Sequence, residues 1–328
     1  MAKLYVVGGK QKQLAVKREE EWNLYESALI LEVDTVSGAV EVCVEYKTPP
    51  EARAHRDSSS VFKSSTRVGN MLYACTNTEI ITYRLPDFEV LNYVSLRCFN
   101  DVHHVTPSHD GNLLVVSTGL DMVLRMTPQG NVIEDWSVID EPVWQRFSRD
   151  IDYRKIESTK PHRAHPNFVF ELDNEVWVTR FQQRDAICLS RRGPRIAIDI
   201  ERPHDGLVSG QDLFFTTVDG HLVIAGKACR SIKQIIDLRK VDDSDSLLGW
   251  CRGVLPQNAD RCWVGFTRVR KTKILENILW VKRVFKEGMV EKPTHITLYS
   301  LSEMSRIQEI DLEAFGMNII FSILPAHT

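Results

Sequence analysis

A four-strand unit repeats along this chain, and no unit can bury its apolar face without stacking on a neighbour. The clearest copy runs from Asn100 to Val138 (NDVHHVTPSHDGNLLVVSTGLDMVLRMTPQGNVIEDWSV). In it Leu113–Ser117, Met122–Met126 and Val132–Trp136 read as strands, with turns rich in Gly, Pro, Asn and Asp between them. Further copies span Val61–Leu96, His165–Ile200 and His204–Leu238. Another begins at Cys251–Phe266 and resumes at Thr294–Leu312 after an insertion. Repetition of such sheets predicts a radial stack.

The two chain ends supply the missing unit. Met317–Leu324 reads as an opening strand, Lys3–Gly8 as a second strand, and Leu29–Tyr46 as a closing hairpin turned at Ser37-Gly38. The expectation is an all-β, six-bladed β-propeller over residues 1–328, closed by pairing of the N- and C-terminal strands, with five or seven blades as neighbouring counts. Closure removes the unpaired inner edge that would otherwise invite association.

Three stretches break the repeat: Lys10–Glu26 and insertions at about residues 139–163 and 268–293. Within the last, Ile274, Ile278, Val281 and Phe285 recur at helical spacing over Lys273–Gly288, predicting an amphipathic helix that packs on a blade face, acts as a lid or joins two copies of the chain as a homo-oligomer. The charged run Lys17–Glu21 reads as a solvated loop or short helix, Arg191-Arg192 with Arg195 as a solvated turn, and Arg268–Lys273 as a solvated face or a contact for an acidic partner.

Composition narrows the function classes. A net charge of −3 gives no basic field for nucleic acid or anionic lipid, and no apolar run is long enough to span a membrane. The N-terminus MAKLYVVGG has no leader-like apolar core. Seven scattered cysteines without CxxC spacing read mostly as core thiols in a reducing, cytoplasmic setting. Cys251 is weighed as a thiol nucleophile facing the histidines, on position alone.

Chemistry is sought where first strands begin, because a ring brings these points together at one mouth of its channel. Three copies place histidine there: His103-His104, His165 and His204. His104 and His204 both lie nine residues before their second-strand anchors, Leu113 and Leu213, whereas His165 lies eleven before Val176. Strand alternation sends one of His103 and His104 inward, and the offset favours His104. His104, His165 and His204 are therefore the expected ligands of a divalent transition metal, zinc or iron, with a metal-free polar pocket or chance placement as the other readings. Asp101 and Asp205 are the expected proton acceptors and Arg252 an anion clamp. His103, Asn167, Tyr153, Arg154 and Asn318 are expected to contact substrate, with Trp144 beside Tyr153 and Arg154 over the mouth. His162, in the insertion, reads as exposed or as a fourth ligand, and His109 and His221 as turn residues.

The stretch Asp110–Trp136 (DGNLLVV…DMVLRMTPQGNVIEDW) resembles the NHL and strictosidine-synthase-like propellers, whose blades carry a similar DGNLYV…P.G.V pattern. The resemblance is good for this blade, fair for the copies beginning at Val61 and His165, and weak elsewhere. It implies a ring and little about activity. Gluconolactonase-like members hold a divalent metal through acidic and amide side chains, a pattern with no match here. A histidine-lined channel looks more like the peptidyl-amidating lyase and streptogramin lyase propellers, in architecture alone. The leading expectation is a metal-dependent lyase or hydrolase acting on a small polar metabolite. The rival is a non-catalytic propeller that binds a protein or glycan.

Overall fold

Strand Leu113–Ser117 is buried on both faces, and its alternating side chains enter two different cores. Leu113 and Val115 pack with Cys75 and Ile80, while Leu114 and Val116 pack with Val169, Val176 and Val178. This is the signature of a sheet held between two other sheets. The structure, a computed structural model, describes residues 2–13, 21–191, 193–242, 246–269 and 290–326. The expected helix at Lys273–Gly288 lies outside the described residues, as do Lys17–Glu20, Arg192 and Arg270–Lys273.

Six four-stranded antiparallel sheets form the blades. Blade 1 runs Ile319–Pro325, Lys3–Gln11, Tyr25–Asp34, Val40–Tyr46 from its innermost strand outward. Blade 2 begins at Thr66–Val68, blade 3 at Val102–Pro107, blade 4 at Pro166–Leu172, blade 5 at Pro203–Ser209 and blade 6 at Trp250–Pro256. These first strands contact one another all the way round. Among the described residues an apolar core lies between each pair of adjacent blades, drawing on both sheets. Each large side chain buried there adds roughly 1.5–3 kcal/mol.

Closure follows the sequence expectation. Val6 pairs with Ile323, Val7 with Ser322 and Gly8 with Ile320, so the two termini share blade 1. A Cβ on Gly8 would lie 1.8 Å from the Ile319 carbonyl oxygen, which is why glycine stands there.

First strands are not regular. Pairing slips between Val102 and His104, between Pro166 and Phe168, between His204 and Leu207, and between Cys251 and Val254. A bulge re-aims the side chains around it. His103, Asn167, Asp205 and Arg252 all stand in these slips.

The 139–163 insertion is ordered by packing. Val143 and Tyr153 are buried against blade 3, and Asn100 donates to the carbonyls of Tyr153 (2.9 Å) and Ile156 (2.7 Å). Among the described residues no helix is long and apolar enough to cross a membrane.

Candidate metal centre

At the end of this insertion the chain turns back into blade 4 through Lys160, Pro161 and His162, and these residues wall a cavity of about 540 Å³. Asp101, His103, His165, Phe181, Gln182, Arg202, Trp250 and Arg252 complete the wall. The volume suits a small molecule.

Asp101, His162 and His165 present ligand atoms that all lie within 4.8 Å of one another. Asp101 and His165 stand in the left-handed backbone region (φ 51° and 52°) just before the first strands of blades 3 and 4, so the ring brings them together. His162 Nδ1 and His165 Nδ1 are 2.9 Å apart, within hydrogen-bonding distance of each other. Two imidazoles and a carboxylate are a donor set for zinc or non-haem iron.

The segment carrying both histidines is held by one carboxylate. Asp121 Oδ1 accepts from the backbone N–H of Ala164 (3.0 Å) and His165 (2.9 Å). Its Oδ2 accepts from the N–H of Arg163 (2.9 Å) and from Arg146 (3.1 Å).

Electrostatics favour neutral imidazoles and a charged carboxylate. Burial resists ionisation of Asp101, but His103, Lys63, His162 and His165 outweigh it and hold its carboxyl well below the usual range. Lys63 Nζ is 3.4 Å from Asp101 and lies 4.8 Å over the Phe321 ring. Burial pushes His165 and His162 below the usual imidazole value, and His103 to about 4. His103 Nδ1 donates to the Asp101 carbonyl at 2.8 Å, which leaves the lone pair on Nε2. Arg252 is buried, its Nε donating to His204 Nε2 at 3.3 Å and its plane packed near Trp250 and Phe321.

The expected ligand trio is not assembled; only His165 belongs to the cluster. His104 is sealed between blades: Val169 N–H donates to its Nδ1 (3.2 Å), its Nε2 donates to Thr66 (3.0 Å), and its ring stacks on Phe168. The inward member of the pair is His103. His204 stands apart, with Phe181 packed against both it (5.2 Å) and His165 (4.9 Å).

Other expected site residues are also placed elsewhere. Asp205 is buried off the cavity, accepting from Thr216 and from Gly253 N–H (3.1 Å), and burial raises its carboxyl to about 6. Tyr153 is in the core, and Arg154 is paired with Asp152 at 2.7 Å. Asn318 accepts from Gln11 N–H within blade 1, and Asn167 donates to the Pro203 carbonyl. Trp144 donates to Asp135 rather than covering the mouth. Cys251 lies in the core between blades 5 and 6 rather than on the cavity wall, and burial raises its thiol well above the ordinary value. Asp101, His103 and Arg252 do line the cavity. Sequence reasoning missed Lys63, Asp121, Phe181 and Arg202.

Fold and site together define a six-bladed β-propeller with a candidate metal cluster at one mouth. No family model matches the sequence, and no curated protein matches it. Among solved structures, a Bacteroides caccae protein of unknown function is similar over 98% of both chains, with a TM-score of 0.62 and 12% identity. That likeness shows the fold. A catalytically inactive virginiamycin B lyase from Staphylococcus aureus, solved with quinupristin, aligns over 72% of this chain and 69% of its own, with a TM-score of 0.47 and 14% identity. A chain of a mitotic checkpoint complex aligns over 87% of this chain and 72% of its own, with a TM-score of 0.48 and 8% identity.

Proposed function

We propose that this propeller is a metal-dependent enzyme, a lyase or hydrolase of a small polar metabolite. Asp101, His162 and His165 hold a divalent transition metal, zinc or iron, at the cavity wall. The observation that carries this reading is the approach of their three ligand atoms to within 4.8 Å of one another beside a cavity of about 540 Å³. A bound metal supplies Lewis acidity to a substrate oxygen. His103, its Nδ1 committed to a carbonyl, accepts the substrate proton at Nε2. Arg252, fixed between two rings, orients an acidic or carbonyl group of the substrate. Asp121 keeps the His162–His165 segment in place, and Phe181 excludes water on one side.

Metal content and turnover together test the proposal. Protein purified without an affinity tag is expected to carry about one equivalent of zinc or iron, a single-site stoichiometry. His162→Ala is expected to lose both metal and turnover of small polar metabolites. His103→Gln should keep the metal and lose turnover. Turnover undiminished in metal-stripped protein would overturn the reading.

A further inference from the structure

The cavity's charge is one-sided. Among the described residues, Lys160, Arg202 and Arg252 line it against a single carboxylate, Asp101, in a chain whose net charge is −3. The excess of cations is therefore local and owes nothing to composition. Asp101 is already engaged by Lys63 and, on the reading above, by a metal dication as well. Among the described residues, the ring contacts of the other two cations are plain: Arg202 lies 5.4 Å over Phe181, and Lys160 lies 5.5 Å over Trp22. A ring beneath a guanidinium fixes its position without neutralising it.

Phe181 also sets the geometry. The same ring packs against His165 at 4.9 Å and carries Arg202 at 5.4 Å, so the metal cluster and the cationic wall are one aromatic ring apart. Arg252 sits on that cationic wall with its Nε tied to His204, whose ring packs on Phe181 as well. A rigid fork held this way is suited to a carboxylate or a phosphate.

We infer that the substrate is an anion. It carries a carboxylate or phosphate that Arg202 and Arg252 bind, set off by a short carbon skeleton from the oxygen facing Asp101, His162 and His165. This rests on the proposed metal site for the second half of the substrate only. The anion subsite is made by different residues. Lys160, at the exposed rim, steers the anion inward.

Calorimetric titration tests the inference, using inorganic phosphate, succinate and the neutral succinamide as probes. Wild-type protein is expected to bind phosphate or succinate and not succinamide, and the anion that binds better names the acid group. Arg202→Gln is expected to weaken that binding at least tenfold, with Arg202→Lys recovering part of it. Arg202 is only half-buried, so its replacement does not endanger the fold as loss of the buried Arg252 would. Succinamide binding as tightly as succinate, wild-type affinity in Arg202→Gln, or no binding of either anion would each overturn the inference. Metal content measured on the same samples separates the two readings. Loss of metal in His162→Ala with anion binding intact leaves the subsite standing. A protein that never takes up metal yet binds succinate through Arg202 refutes only the metal site.

Discussion

The carboxylate of Asp121 accepts a 2.9 Å hydrogen bond from the backbone N–H of His165, so a residue of blade 3 sets the position of a histidine entering blade 4. Ala164 and Arg163 donate to the same side chain, and Arg146 anchors it from the insertion. Asn at this position offers one acceptor oxygen where the carboxylate offers two. Asp121→Asn is therefore expected to weaken metal binding roughly ten- to a hundredfold, as loss of a ligand-orienting group does. It should also destabilise the fold by about 1–3 kcal/mol through unsatisfied buried donors. Chelator competition and denaturant unfolding measure the two effects.

Ring closure depends on Gly8. Its pairing with Ile320 leaves no room for a side chain, since an added Cβ would meet the Ile319 carbonyl oxygen at 1.8 Å. Gly8→Ala is expected to cost at least about 2 kcal/mol by forcing the terminal strands apart. Urea unfolding of the variant checks this, and unchanged stability would deny the strand pairing.

Asp205 holds blade 5 to blade 6, so its two replacements should differ. Asp205→Ala strands the Thr216 hydroxyl and the Gly253 N–H, costing about 1–3 kcal/mol for each group. Asp205→Asn keeps an acceptor and should be much milder. Because burial raises this carboxyl to about 6, the folded state binds more protons than the unfolded one between about pH 3.8 and 6. Its contribution to stability thus falls as pH rises through that window, and the Asn variant lacks this slope. Both variants should keep wild-type metal content.

His104 contributes a pH dependence of opposite sign. Burial lowers its pKa to about 3, and its ring meets Thr66, Phe168 and Val169 N–H. Unfolded chains take up the proton near the ordinary value of about 6.5, so stability falls as pH drops from there towards 3. This one group contributes up to about 1.4 kcal/mol per pH unit within that window. His104→Gln should flatten the profile by that amount between pH 6 and 4 without altering metal uptake. A profile as steep as wild type would refute the assignment.

Blade boundaries were legible because turns need particular residues. Ser37-Gly38 ends one hairpin and Gly130 another, with φ of 75° and 90° at the two glycines. The closing strand at Met317–Leu324 was legible from its apolar run against Lys3–Gly8. Register inside the first strands was not. In blade 3 the slip falls at His103, before His104, whereas in blade 5 it falls after His204. Equal spacing to the second strand therefore places His104 and His204 on different sides of a bulge, and counting residues cannot reveal that. His162, open in the sequence between an exposed residue and a fourth ligand, could not be settled for another reason. It reaches the cluster from a loop whose course is set by Asp121 and Asn100, contacts with no periodic signature.

X-ray absorption at the zinc edge, on protein loaded with one equivalent of zinc, addresses the metal site most directly. Two imidazole nitrogens and a carboxylate oxygen are expected in the zinc coordination, with one imidazole lost in His162→Ala and neither lost in His104→Gln or His204→Gln. A sulfur ligand, a fully hydrated ion, or a spectrum unchanged by His162→Ala would contradict it.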